Sequence, residues 1–272
     1  MNKKIGIFDS GYGGLTILEG IRKELPNYSY LYLGDNVRAP YGDLSQQKVF
    51  DYTCQAVDFL FQKNCEIIII ACNTVSAKAL RKLQKKYINK ESQQRILGVV
   101  IPLLEEIEET VNGCEKKVCI IGTRATIKSG VFQKEIKIRS QKVKVFSKSC
   151  PLLVPMIESE QFEPEKMNEV LKKYLKRMSS KKIDYLILAC THFHYLEKNI
   201  KVFFDKETKI IETPKVIARK LKEYFKNHQD IKKKISIKKS LTVYTTGDKR
   251  QFIKFFKNNY NSQVKVKKIS LA

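Results

Sequence analysis

Two cysteines stand apart from the other five in this chain of 272 residues. Cys72 ends the run Ile67-Ile-Ile-Ile-Ala-Cys-Asn-Thr74, and Cys190 ends Tyr185-Leu-Ile-Leu-Ala-Cys-Thr-His192. Each follows a strand-like apolar run, and each leads into polar residues and a helical pattern. A thiol so placed has chemistry available to it, because a thiolate is both a base and a nucleophile. A free cysteine titrates at roughly 8.5, and the unpaired N–H groups at a helix start lower that value. Either cysteine alone reads as a small hydrophobe packed behind a strand. The repeated context is what singles them out.

Other groups with chemical potential gather around similar junctions. In Asp9-Ser-Gly-Tyr-Gly-Gly-Leu15 an apolar strand ends in an acid and a hydroxyl, then turns through glycines that expose backbone N–H groups to an anion. A dinucleotide-binding turn is the weaker reading, since Thr16 takes the place of the third glycine. His192 lies two residues after Cys190, where it can stabilise a thiolate or carry a proton. His194 invites a metal, but no acidic cluster or second cysteine stands at ligand spacing, so no metal is expected. Thr123 and Thr126 suit a helix cap better than a carboxylate site. The stretch from Gly34 to Gly42, with Pro40 and Tyr41, is a loop by composition.

The elements that must hold these groups alternate along the chain. Strands are expected at Lys4–Phe8, Tyr30–Leu33, Glu66–Ala71, Ile96–Val100 and Lys117–Ile121, then at Val143–Phe146, Tyr185–Ala189, Lys209–Glu212, Leu241–Thr245 and Val264–Ile269. Several are continuous apolar runs, as in parallel strands covered on both faces. Helical spacing occurs at Leu15–Leu25, Gln46–Gln62, Ala77–Tyr87, Leu103–Val111, Met167–Met178 and Val216–Phe225. Lys232–Ser240 reads as a basic connector. The alternation predicts an α/β protein built of two related units, each a mainly parallel sheet flanked by helices. Ligands of such sheets bind beyond the carboxyl ends of the strands, so the two cysteines would face each other across a cleft.

Bulk properties narrow the class. The longest apolar runs are strand-sized, too short to span a bilayer, and Asp9 interrupts any secretory signal, so a cytoplasmic protein is expected. Seven cysteines without a C-x-x-C pair fit reduced thiols better than a disulfide framework or a zinc ribbon. The formal net charge of +24 permits binding to nucleic acid, and a basic nucleic-acid-binding protein is the rival from another class. The lysines are scattered in pairs, however, with no basic arm interleaved with aromatics, so solvated lysine faces are the better reading. The expected partners are an acidic small molecule and a second copy of the chain in a homodimer, with no membrane.

Taken together, six segments resemble the glutamate racemases of the aspartate/glutamate racemase superfamily. They are Asp-Ser-Gly-x-Gly-Gly-Leu at 9–15, Pro-Tyr-Gly at 40–42, Ala-Cys-Asn-Thr at 71–74, Gly-Thr-x-x-Thr at 122–126, Cys-Pro-Leu-x-Val-Pro at 150–155 and Cys-Thr-His at 190–192. The ordered set spans nearly the whole chain. The resemblance implies two pseudo-symmetric α/β domains, 1–98 plus 212–272 and 99–211, with the active site in the cleft between them. It implies interconversion of L- and D-glutamate with no cofactor, and supply of D-glutamate for peptidoglycan. Cys72 and Cys190 would be the paired acid and base, Asp9 assisting the first and His192 the second. Asp9, Ser10, Tyr41, Gly42, Asn73, Thr74, Thr191 and His192 would contact glutamate, and Glu158 looks like a further acid of the family near the site. Racemisation of aspartate or another small acid is the alternative within the superfamily. The chain departs from the family at Ala189, usually glycine, at His194, usually proline, and at Glu212-Thr-Pro, usually Asp-Ser-Ala.

Overall fold

The computed structural model describes residues 3–89, 91–159, 163–260 and 264–271. Its ten strands are β1 (Lys4–Asp9), β2 (Tyr30–Gly34), β3 (Cys65–Ile70), β4 (Arg95–Gly98), β5 (Lys116–Gly122), β6 (Val143–Ser149), β7 (Tyr185–Ala189), β8 (Lys209–Ile210), β9 (Leu241–Thr245) and β10 (Val266–Lys268). They form two sheets, in the orders β10-β9-β2-β1-β3-β4 and β6-β5-β7-β8. Every pairing within them is parallel.

All ten expected strands are present. They were readable because helices cover both faces of these sheets. Every residue of β2, β3 and β7 is buried, so no polar alternation interrupts the apolar run. The order β2-β1-β3-β4 in one sheet matches β6-β5-β7-β8 in the other. The likeness of the two Ala-Cys segments is therefore a likeness of position, since Cys72 follows β3 and Cys190 follows β7. The first sheet carries two extra strands, β9 and β10, on the β2 side. The chain thus leaves that sheet after β4, builds the second sheet, and returns.

Helices Leu15–Glu24 and Thr213–Asn227 pack against each other, while Gln46–Gln62 lies against β1, β2 and β3. The largest apolar cluster runs through both halves, joining Ile67 and Val99 to Cys119, Leu188 and Phe193 without a polar break. Truncating a fully buried member such as Leu18 costs about 2–5 kcal/mol in proteins generally. Among the described residues, no helix is long and apolar enough to cross a membrane.

Four local expectations are corrected. The helix expected at Ala77–Tyr87 is two helices, Asn73–Lys78 and Leu80–Tyr87, broken at Ala79. The strand expected to reach Val100 stops at Gly98, because Val100 already belongs to helix Val100–Val111. β8 keeps only two residues of the expected four. Cys190 is followed by a tight 3₁₀ segment, Thr191–Leu196, before helix Glu197–Lys201. Aromatic and histidine side chains crowd that turn, and these are weak helix formers.

Candidate active site

Each sheet delivers its functional groups from the carboxyl ends of its two central strands. β1 ends at Asp9 and β3 is followed by Ala71 and Cys72; β5 ends at Gly122 and β7 is followed by Cys190. In parallel pairing these ends lie level, with Phe8 opposite Ile70 and Gly122 opposite Ala189. A small cavity of about 20 Å³ lies where the two sets of ends meet. Its lining includes Ser10, Tyr41, Gly42, Cys72, Asn73 and Thr74 from the first half, and Cys190, Thr191 and His192 from the second. Both thiols thus open into one space.

Close approach of the halves depends on glycine. A Cβ added at Gly13 would fall 2.4 Å from Thr191 Oγ1 and 2.6 Å from His192 N. Both contacts are too short for any side chain to occupy. Gly42 likewise lies against Thr123, where an added Cβ would come within 2.9 Å of its Cβ.

The surroundings of Cys72 are neutral or acidic. Its Sγ shares a hydrogen bond of 3.3 Å with Ser10 Oγ. Burial pushes its thiol up to about 12, the neighbouring Asp9 adds to the rise, and Ser10 and the N–H of Val75 pull the other way. The helix start does favour the thiolate, as the sequence suggests, but burial outweighs it. Cys72 is held as a thiol. Asp9 is fully buried, accepts hydrogen bonds from Gly11 N at 3.0 Å and Thr191 Oγ1 at 3.2 Å, and does not line the cavity. Burial raises its carboxyl above the usual range, against the opposing pull of His192 and of the Gly11 and Gly14 N–H groups.

Around Cys190 the chemistry is different. His192 hydrogen-bonds Cys190, and its Nε2 lies 2.8 Å from Glu158 Oε1. Burial works against a charge on the ring. The bonds to Cys190 and Glu158, with the field of Glu158, overcome it and hold the imidazole well above its ordinary value. His192 is therefore an imidazolium at neutral pH, clamped between a sulfur and a carboxylate. Glu158 itself lines the cavity.

Further polar groups complete the lining. Neither side-chain atom of Asn73 finds a hydrogen-bond partner among the described residues, although the side chain is buried. An orphaned buried amide carries a free-energy cost that a polar ligand removes. Thr74 Oγ1 reaches across to Thr123 Oγ1 at 3.0 Å and Thr126 Oγ1 at 3.3 Å. Thr123 does cap its helix, accepting from Thr126 N at 3.1 Å, and it also lines the cavity. Capping and site membership are not alternatives here. Ala39, Pro40 and Val154 line the cavity as well, inside motifs visible in the sequence. Of the departures from the family pattern, Ala189 is fully buried at the end of β7, opposite Gly122. The His194 side chain is only 5% exposed, neither ring nitrogen has a hydrogen-bond partner among the described residues, and Nδ1 lies 3.9 Å from Glu197 Oε2.

Two thiols lining one cavity, at the ends of two parallel sheets, suit an isomerase that exchanges a proton between the two faces of a carbon atom. The chain belongs to the Asp/Glu/Hydantoin racemase family, whose model matches residues 15–221. A glutamate racemase of Aquifex aeolicus is 38% identical over 224 residues, covering 82% of this chain and 84% of that one. The crystal structure of a glutamate racemase isoform from Bacillus anthracis superposes with a TM-score of 0.89 at 30% identity, covering 99% of this chain and 98% of that one. That of the Francisella tularensis glutamate racemase in complex with D-glutamate gives 0.87 at 28% identity, with the same coverage.

Proposed function

We propose that this protein is a glutamate racemase that interconverts L- and D-glutamate without a cofactor, supplying D-glutamate for peptidoglycan. The observation that carries the reading is the single cavity lined by both Cys72 and Cys190. Glutamate rather than aspartate is supported by relatives named as glutamate racemases over most of the chain.

Racemisation removes the proton on Cα and returns it to the other face of a nearly planar carbanion. One fixed base returns the proton to the side it came from. Two groups on opposite faces avoid this, one as thiolate base and the other as thiol acid, exchanging roles with direction. In the reading proposed here Cys190 deprotonates L-glutamate and Cys72 deprotonates D-glutamate. His192, charged and bonded to Cys190, supplies the positive partner that a thiolate needs there. Cys72, held as a thiol, is ready to give its proton to the opposite face. The return reaction requires the Cys72 thiolate, with Asp9 and Ser10 as its neighbours. Ser10, Asn73, Thr74 and Thr191, with the backbone of Tyr41 and Gly42, hold the two carboxylates and the amine so that Cα sits between the sulfurs. The domains 1–98 plus 212–272 and 99–211, a homodimeric assembly and a cytoplasmic location belong to the same reading.

The test is incubation of purified protein with L-glutamate in D₂O without added cofactor. Deuterium at Cα appearing together with the D-enantiomer is the expected result. Absence of both, with aspartate racemised instead, would move the assignment to the other substrate of the superfamily.

A further inference from the structure

The loop from Gly34 to Gly42 says little by its composition, yet it supplies one wall of the cavity through Ala39, Pro40, Tyr41 and Gly42. Asp35 at its base is fully buried and carries no side chain into the cavity. Its two carboxylate oxygens are nevertheless both engaged. Oδ2 accepts from the Tyr41 hydroxyl and, at 2.6 Å, from Arg38 Nε. Oδ1 accepts from Thr246 Oγ1 at 2.8 Å. Arg38 is fixed in turn by Gln55 and by the ring of Tyr52, 4.2 Å beneath its guanidinium carbon. Thr245 and Thr246, at the end of β9, also hold Asn36 Oδ1 and Val37 N. Three separate parts of the chain therefore converge on one buried carboxylate.

From this arrangement we infer that Asp35 is a positioning residue for substrate binding, and that the Tyr41 hydroxyl anchors the loop to Asp35 instead of touching substrate. Resting on the glutamate reading of the cavity, the inference goes beyond it in saying how the wall is held. A buried carboxylate attracts a phenol O–H strongly, and a bond to a charged acceptor is about twice as strong as a neutral one. With its hydroxyl turned to Asp35, Tyr41 lines the cavity beside Gly42, which is pressed against Thr123. The rigidity of that wall comes from Asp35. It also ties the end of β9 to the wall of a cavity that strand does not line, since Thr246 closes the last bond to the carboxylate.

The experiment is a double-mutant cycle in the full chain, read as KM and kcat for L-glutamate. Turnover by the wild type is the control that tests the glutamate reading itself. With turnover present, Asp35→Ala and Tyr41→Phe should each raise KM roughly tenfold, with a much smaller change in kcat. The double variant should be no worse than the worse single one, because both remove the same bond. Asp35→Asn, whose carbonyl still accepts from the phenol, should recover part of the loss. Additive effects of the two single changes, or a loss in kcat with KM unmoved, would overturn the inference. Should Asp35→Ala fail to fold, Thr246→Val removes the bonds to Asp35 Oδ1 and Val37 N but leaves those of Tyr41 and Arg38 in place, and is expected to raise KM two- to threefold. An unchanged KM in that variant overturns it too. If the wild type turns over no glutamate, the same cycle read in urea unfolding still reports on the bond. Coupling between positions 35 and 41 supports the anchor and its absence overturns it.

Discussion

Cys72 and Cys190 stand at matching points of two matching sheets, and the groups around them differ in chemistry. Cys72 has a hydroxyl and a buried acid for neighbours, and its thiol is pushed up to about 12. Cys190 has an imidazolium backed by Glu158. Duplicated backbone geometry thus comes with unduplicated electrostatics.

The largest effect expected is from removing either sulfur. Cys72→Ser and Cys190→Ser should each lower racemisation by about a thousandfold or more while leaving the fold intact, measured by circular dichroism of glutamate. Full activity in either variant would end the two-thiol account. Next come the partners. His192→Asn is expected to reduce kcat/KM about a hundredfold, and Asp9→Asn by less, because only His192 supplies a positive charge. The two enantiomers have equal free energy, so kcat/KM must fall by the same factor in both directions. A difference between directions is allowed only in kcat and KM separately. Equal effects of the two substitutions would erase the contrast between the halves.

A subtler change is expected in the pH profile. His192 is held above its usual value, so its charge persists through neutral pH and is lost as pH rises through the folded-state value. Activity should therefore decline on the alkaline side. Glu158→Gln removes a group that raises His192, and the decline should move toward lower pH in a stopped-time assay across the range. An unmoved limb would mean that Glu158 does not hold the charge. The smallest effect should come from Thr126→Val. It deletes one hydroxyl of the group that spans the halves, and should raise KM a fewfold, corresponding to about 1 kcal/mol.

The strands, both thiols and most of the lining were legible in the sequence for one physical reason. Parallel strands buried on both faces write themselves as unbroken apolar runs, and the residues just past them are the ones a sheet presents to a ligand. What was not legible depends on contacts across the chain. The buried rank of Asp9 and the orphaned amide of Asn73 arise only when the second half packs on the first. The charge on His192 needs Glu158, which lies 34 residues away in sequence. Asp35 looked like one more loop acid until Tyr41, Arg38 and Thr246 closed on it. The helix Lys249–Tyr260 did leave a trace, in Phe252, Phe255 and Phe256 at helical spacing, all now buried. The 3₁₀ turn after Cys190 left none, because its residues serve loop and helix alike.

The return of the chain to its first sheet has a mechanical consequence. The polypeptide passes between the two sheets only twice, once between β4 and β5 and once between β8 and β9. The bonds that join the two sets of strand tips run from Thr191 to Asp9 and from Thr74 to Thr123 and Thr126. With Cys72 and Cys190 each only 6% exposed, a ligand that is to reach both of them from solvent has to part those bonds on the way in.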